Sequence, residues 1–257
     1  MLMKMNNLLL FITAASLLLL SACGGLPRAR TRDFSAHAPL ALVTVVSNQD
    51  IYWYGENIFG SSNDAMVTTL VREQFGFGSG RERQTVRISD ASELINEAEQ
   101  MLTMVLSESG VFGLVDRELV LNSASYIAAG SDTPRRRNVR QVAAQGYRFI
   151  EHNDRQFAAR LSQELGVNSL LFVTFDFNKD MASGLGKTGT CRARVRMEAV
   201  LVDSSGRRLF RDEINTFSVD RISVRNGTYY QEELMYLLRE AIGEACLRFI
   251  WQFSGTR

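Results

Sequence analysis

The chain has 257 residues, with 29 Lys+Arg against 28 Asp+Glu, 46% hydrophobic and 22% charged residues, and 3 Pro. This composition excludes a disordered polymer and a collagenous repeat, and suits one large domain or two small ones. A formal net charge of +1 excludes the broad basic surface that nucleic-acid binding needs, so no nucleic-acid partner is expected.

Met1–Asn7 carries one charge, Lys4, and precedes Leu8–Leu20, an apolar run short for a permanent transmembrane helix and suited to the core of an export signal. The run closes on Leu20-Ser21-Ala22-Cys23, followed by Gly24 and Gly25. This resembles the lipobox of bacterial lipoproteins, in which small residues fit the signal peptidase and the thiol receives a diacylglycerol. The resemblance implies a signal peptide over residues 1–22 and lipidation of Cys23. It also implies a hold on the membrane through two or three acyl chains, palmitate among them, each buried CH₂ contributing about 0.8 kcal/mol. Gly rather than Asp after the cysteine implies the periplasmic face of the outer membrane, with the inner membrane as the alternative. Residues 23–39 lack periodicity and read as a lipidated tether. The sixteen residues from Gly24 to Pro39 reach at most ~55 Å, so the domain at 40–257 works close to its membrane.

Leu40–Ser47 is a dense β-branched run with no polar face, which predicts a central strand buried on both sides. Behind it, Ile51-Tyr52-Trp53-Tyr54, Ile58 and Phe59 form an aromatic loop. Asp90–Gly110 predicts a helix capped by Asp90 with Glu93 three residues on, striped by Leu94, Ala98, Met101, Leu102, Val105 and Leu106, and stopped by Gly110. Phe112–Arg117 reads as a short strand, Glu118–Ala129 as a helix ending at Gly130, and Ser131–Gln141 as a polar stretch. A helix over 154–165 ends at Gly166, and Ser169–Phe177 is a strand. Asn178–Thr190 reads as a connection. Cys191–Asp203 then alternates, with Arg192, Arg194, Arg196 and Glu198 on one face and Ala193, Val195, Met197 and Ala199 on the other. A turn at Asp203–Gly206 and a return over Arg207–Phe217 complete an antiparallel hairpin. The last helix, 231–253, carries Leu234, Leu237, Leu238, Ala241, Ile242, Ala245, Phe249 and Ile250 on one stripe. The order predicts a single α/β domain of three-layer type, a mixed central sheet flanked by helices.

Three segments in that order carry a family resemblance. Met101–Glu118, with Met-Leu-Thr-Met-Val-Leu before Ser-Gly-Val-Phe-Gly-Leu-Val-Asp-Arg-Glu, is the first. The second is Leu165-Gly166-Val167-Asn168-Ser169-Leu170-Leu171-Phe172-Val173. The third is Val195–Glu213 with its Val202-Asp203-Ser204-Ser205-Gly206-Arg207-Arg208-Leu209-Phe210. Together they resemble the curli-secretion-subunit superfamily, which includes lipoprotein activators of penicillin-binding proteins and a flagellar periplasmic protein. The resemblance spans most of Leu40–Phe253. It implies an anticodon-binding-like, non-catalytic periplasmic domain, with a penicillin-binding protein as a candidate partner and homo-oligomerisation as a further possibility. Transmembrane hairpins of a secretion channel need strands of about 9–11 alternating residues, and neither Asn178–Thr190 nor the Phe217–Tyr229 loop supplies them. The activator branch fits better, although its familiar members use a longer tether. A curli-type assembly component and a flagellar accessory protein are the alternatives.

Candidate partner-binding residues are the aromatics Tyr52, Trp53, Tyr54 and Phe59, which serve either as binding anchors or as packing under the domain's own helices. The cluster Arg135, Arg136, Arg137 and Arg140 is either a solvated loop or a contact for anionic headgroups or an acidic partner. The row Arg192, Arg194 and Arg196 meets a partner or pairs with carboxylates such as Asp212. Gly184-Leu185-Gly186-Lys187-Thr188 lacks the first glycine and the following helix of a phosphate-binding loop, so it predicts a hairpin tip. Cys191 and Cys246 are either bridged or both buried unpaired. No C-x-x-C occurs and His37 and His152 are far apart, so no metal, cofactor or catalytic set is expected.

Overall fold

The computed structural model describes residues 37–54, 90–129, 135–136, 139–185 and 188–254. The signal segment, Cys23, the tether up to Ser35-Ala36, Phe59, Arg137 and Lys187 lie outside the described residues. In chain order the elements are β1 (Leu40–Asn48), β2 (Tyr52–Trp53), α1 (Ser92–Ser109), α2 (Arg117–Leu121), α3 (Ala124–Ala129), β3 (Arg135–Arg136), β4 (Val139–Ala143), α4 (Arg155–Leu165), β5 (Ser169–Leu185), β6 (Thr188–Asp203), β7 (Arg208–Phe217), β8 (Ile222–Val224) and α5 (Gln231–Ser254).

All nine residues of β1 are buried, as a run without a polar face requires. It lies between β4, antiparallel, and β5, parallel, in a mixed sheet of order β3-β4-β1-β5-β6-β7, with β2 added to β5 and β8 to β6. Alternate residues of β1 feed two cores. On one face Leu40, Leu42 and Val45 join the apolar stripes of α1 and α5, including Leu94, Leu102, Leu238, Ile242 and Phe249. On the other, Ala41 and Val43 meet Val120, Tyr126, Phe157 and Leu161 from α2, α3 and α4. The expected three layers are present, but the second helical layer covers only the end of the sheet where β5 begins. Further along β5 and β6, that face carries Asp176, Asp180, Arg192, Arg194 and Arg196, none of them fully buried.

Several local expectations give way to tertiary context. Ala91, not Asp90, is the N-cap of α1 and makes no side-chain cap bond. Asp90 Oδ1 instead accepts the Ser92 N–H at 2.9 Å and its hydroxyl at 2.6 Å. Phe112–Arg117 is not a strand: it pairs only at Leu40/Leu114, beside the end of β1 that β4 does not reach, before Asp116 accepts the Glu118 N–H and starts α2. The helix expected over 118–129 breaks at Asn122-Ser123 into α2 and α3. The Glu164 carboxylate of α4 accepts the N–H groups of Ala124 and Ser125 at 2.6 and 2.9 Å. These satisfy orphan donors of α3 and tie the helices together. The polar stretch at 131–141 supplies the β3–β4 hairpin, with Arg135 opposite Arg140.

The largest correction concerns 178–190. β5 and β6 continue through it, pairing Asn178 with Arg194, Asp180 with Arg192 and Leu185 with Thr188. Gly184 and Gly189 face one another near the tip, where a Cβ on either would strike the other strand's backbone. Close backbone approach, rather than a phosphate cradle, accounts for both glycines.

At the end of β1 the Asn48 carboxamide takes over from the main chain. Its Nδ2 donates to the Phe177 carbonyl at 2.9 Å and its Oδ1 accepts the Phe177 N–H at 2.7 Å. Asn48 is 5% exposed, so Asn48→Leu leaves two buried backbone groups on Phe177 without these partners. The expected cost is about 2–4 kcal/mol, read as a lower denaturant midpoint at unchanged m-value.

Candidate functional site

The aromatic segment after β1 splits its work residue by residue. Ile51 is buried. Tyr52 is half-buried and donates to Asp50 Oδ2 at 2.9 Å. Burial, then the Asp50 carboxylate beside it, pushes its phenol up to about 12. Trp53 stands edge-on to Tyr229 with centroids 6.2 Å apart. The Lys179 ammonium lies 5.2 Å from each of those ring centroids and donates to the Tyr229 hydroxyl at 3.0 Å. Trp53 is therefore packing for a buried lysine. Tyr54 is 56% exposed.

Strand parity brings Tyr54 to the arginine row. β2 continues beside β5, opposite Asn178 and Lys179, which carries the next residue toward β6. The Arg194 guanidinium carbon sits 3.4 Å from the Tyr54 ring centroid and 5.5 Å from that of Phe217, while Arg192 lies 3.9 Å from the Phe217 ring. Arg194 also donates to Asn215 Oδ1 at 3.1 Å. Its neighbours are engaged by carboxylates. Arg192 gives Nε and Nη2 to Asp180 Oδ2 at 3.0 and 2.8 Å. Arg196 bridges Asp176 at 3.1 Å and Glu213 at 2.5 Å. The Glu213 hydrogen bond raises the Arg196 pKa and, reciprocally, lowers that of Glu213. Asp212, one of the expected partners, lies on the opposite face and accepts from Gln252 of α5. Half-exposed ion pairs of this kind contribute about 0–1 kcal/mol each. Their effect is to hold three planar groups and two rings in a fixed array.

The expected sites do not merge into one. Tyr54 joins Arg194 and Phe217, neither of which was among the candidate binding aromatics and clusters, whereas Arg140 is exposed on β4, on the far side of β1. Arg135 and Arg136 lie on β3, at the outer side of β4. Phe59 and Arg137 are outside the described residues. The i, i+2 alternation of Arg192, Arg194 and Arg196 signalled the array; the pairing with Phe217 did not show, because it depends on the β6–β7 register.

Among the described residues, no group of three His, Cys, Asp or Glu side chains is placed to hold a metal ion, and no helix is long and apolar enough to cross a membrane. His152 packs edge-on against Phe172, and burial, then the Arg211 charge, lowers its pKa. Cys191 and Cys246 are both free and buried.

Fold and site together define an α/β protein in which part of one sheet face is left to a charged and aromatic array. No protein-family model matches the chain, and no curated protein does. Among solved structures, it is similar at 14% identity to the lipoprotein GNA1162 of Neisseria meningitidis, over 82% of this chain and 99% of that one, with a TM-score of 0.25. It is similar at 10% identity to the hypothetical protein CT253 of Chlamydia trachomatis, over 85% and 94%, with a TM-score of 0.32. Superpositions this loose carry no functional argument.

Burial pushes the Cys191 thiol up to about 11 and that of Cys246 up to about 12. A maleimide at about pH 8 should leave both unlabelled in the folded protein and label both after denaturation. Mass spectrometry of the 191 and 246 peptides checks this.

Proposed function

We propose that the chain is a lipid-anchored envelope protein, without catalytic activity, whose open sheet face binds another envelope protein. Anchoring rests on the lipobox at Leu20–Cys23. The observation that supports recognition is the surface stack of Tyr54, Arg194 and Phe217 between the ion-paired Arg192 and Arg196. Aromatic and arginine side chains already held in place lose little entropy on binding and make effective anchors. The partner class is the one the family resemblance implies, a penicillin-binding protein, met from the outer membrane's periplasmic face. The long β5–β6 hairpin does not argue for a secretion channel. One of its faces alternates Asn178 and Asp180 with Arg192 and Arg194, and Lys179 is buried in the other, so it has no outward apolar band of the kind a membrane strand presents.

Two measurements test this. In cells given an alkyne analogue of palmitate, label should enter the protein and vanish with Cys23→Ser; labelling that survives the substitution overturns the anchor. A photo-crosslinking residue in place of Tyr54 in the full chain should trap a penicillin-binding protein, and Arg194→Ala should reduce that product about tenfold, the worth of one anchor of about 1.4 kcal/mol. A crosslinked product of another class, or one indifferent to Arg194→Ala, removes this partner or this site.

A further inference from the structure

We propose that β7 is the contact strand of a two-fold dimer of this chain. The inference is independent of lipidation and of the binding role of the Tyr54 face.

Among the described residues β7 is an edge strand of ten residues. Its hydrogen-bonding side follows from parity. The Ser218 N–H bonds to the Ala193 carbonyl on β6, and the β6–β7 register is unbroken from Phe217 back to Phe210. Even-numbered residues therefore direct their backbone groups to β6. Arg211, Glu213, Asn215 and Phe217 direct theirs outward. A row of such groups is a template for another strand.

Helix α5 continues this surface. Its Ala241 carbonyl accepts from Thr216, Glu240 Oε1 accepts the Val219 N–H, and Gln252 donates to Asp212. The helix thus runs antiparallel to β7. Arg239, on the other flank, grips Glu97 of α1. The flank turned away from α1 carries Tyr236, Glu240, Glu244, Leu247 and Trp251, spaced as one stripe. Its large apolar members stay in solvent: Tyr236 is 59% exposed, Leu247 41% and Trp251 56%, with Val219 beside them at 83%. An open strand edge and an apolar helical stripe lie on the same side.

A second copy fits both. Helix α5 packs over β6 and β7 together, so with strands about 4.8 Å apart its axis lies about 2.4 Å inboard of β7. Pairing β7 with its symmetry mate puts the two-fold about 2.4 Å outboard, which sets the two α5 axes about 10 Å apart, the spacing of packed helices. Charge selects the register. Pairing centred on Arg211, Asp212 or Glu213 opposes like charges. Centred on Ile214, it sets Ile214 against its mate, Glu213 against Asn215, and Arg211 against Phe217. The same geometry fixes an isologous contact.

The test is sedimentation and hydrogen exchange on the full acylated chain in detergent at about 10 µM, a concentration at which a micromolar dimer is mostly formed. The expected result is a dimer whose Arg211, Glu213, Asn215 and Phe217 amides gain protection as concentration rises, while even-numbered amides of β7 are protected throughout. Asn215→Pro, which removes one outward N–H, and Leu247→Arg, a surface change that leaves the β7 ladder intact, should each weaken dimerisation at least about tenfold. A monomer at this concentration overturns the proposal. So does a dimer unmoved by folded Leu247→Arg, or one in which the odd-numbered amides stay unprotected; dimers formed by acyl chains sharing a micelle would behave in that way.

Discussion

The Asn48 carboxamide, paired with both backbone groups of Phe177, is the joint on which the functional half of the sheet depends. β1 accompanies β5 as far as Phe175, and β2 rejoins it at Asn178. Between them the main chain leaves the sheet, so that Gln49 can bond to Arg140 and Ala91. Without a substitute partner, Phe177 would lose its parallel neighbour in the middle of a buried strand, at a cost of about 1–3 kcal/mol for each unmet group. A side chain that imitates a peptide keeps β5 straight and returns β2 in register. Register then decides everything downstream, because a slip of one residue would exchange Trp53 and Tyr54 between core and solvent.

That return separates two cation–aromatic arrangements on opposite faces of one hairpin. Lys179 is 3% exposed and lies among Trp53 and Tyr229, where a desolvated cation gains about 2 kcal/mol or more from the rings. Burial of an ammonium costs more than this unless hydrogen bonds offset it, and the Tyr229 hydroxyl supplies one. One residue away, Asn178 and Asp180 face the arginines across β6. The hairpin therefore alternates a buried amine with a surface ion-pair ladder. Its polarity near the tip is structural on one side and displayed on the other.

Elements whose own periodicity meets a single apolar layer were legible in the sequence. β1, α1, α4, α5 and the β6–β7 hairpin lie where the patterns place them, because each buries one stripe or alternates cleanly. Elements that depend on a distant partner were not. β5 beyond Phe177 reads as a connection, since Asn, Lys, Asp, Ser and Gly are poor strand formers alone; they extend there because Arg192, Arg194 and Thr190 lie opposite. The break between α2 and α3 needs Glu164, forty residues away. The site was half legible for the same reason. Tyr54 and the arginine alternation stand in the sequence, but their meeting with Phe217 is a product of strand order.

The open face and the β7 edge are perpendicular surfaces, so a partner on one does not block a second copy on the other. They share Phe217. Its ring backs Arg192 and Arg194 on the open face, and its backbone belongs to the outward row of β7. In a dimer centred on Ile214, Arg211 of the second copy lies opposite Phe217, next to a ring already engaged by two guanidinium groups. Dimerisation would then stiffen the stack that includes Tyr54 and set two such stacks side by side on one continuous sheet, held at one height above the membrane by two short tethers. Bivalent display raises effective affinity only when both sites reach one target surface. The rigid sheet between the stacks, rather than a flexible linker, would fix that distance.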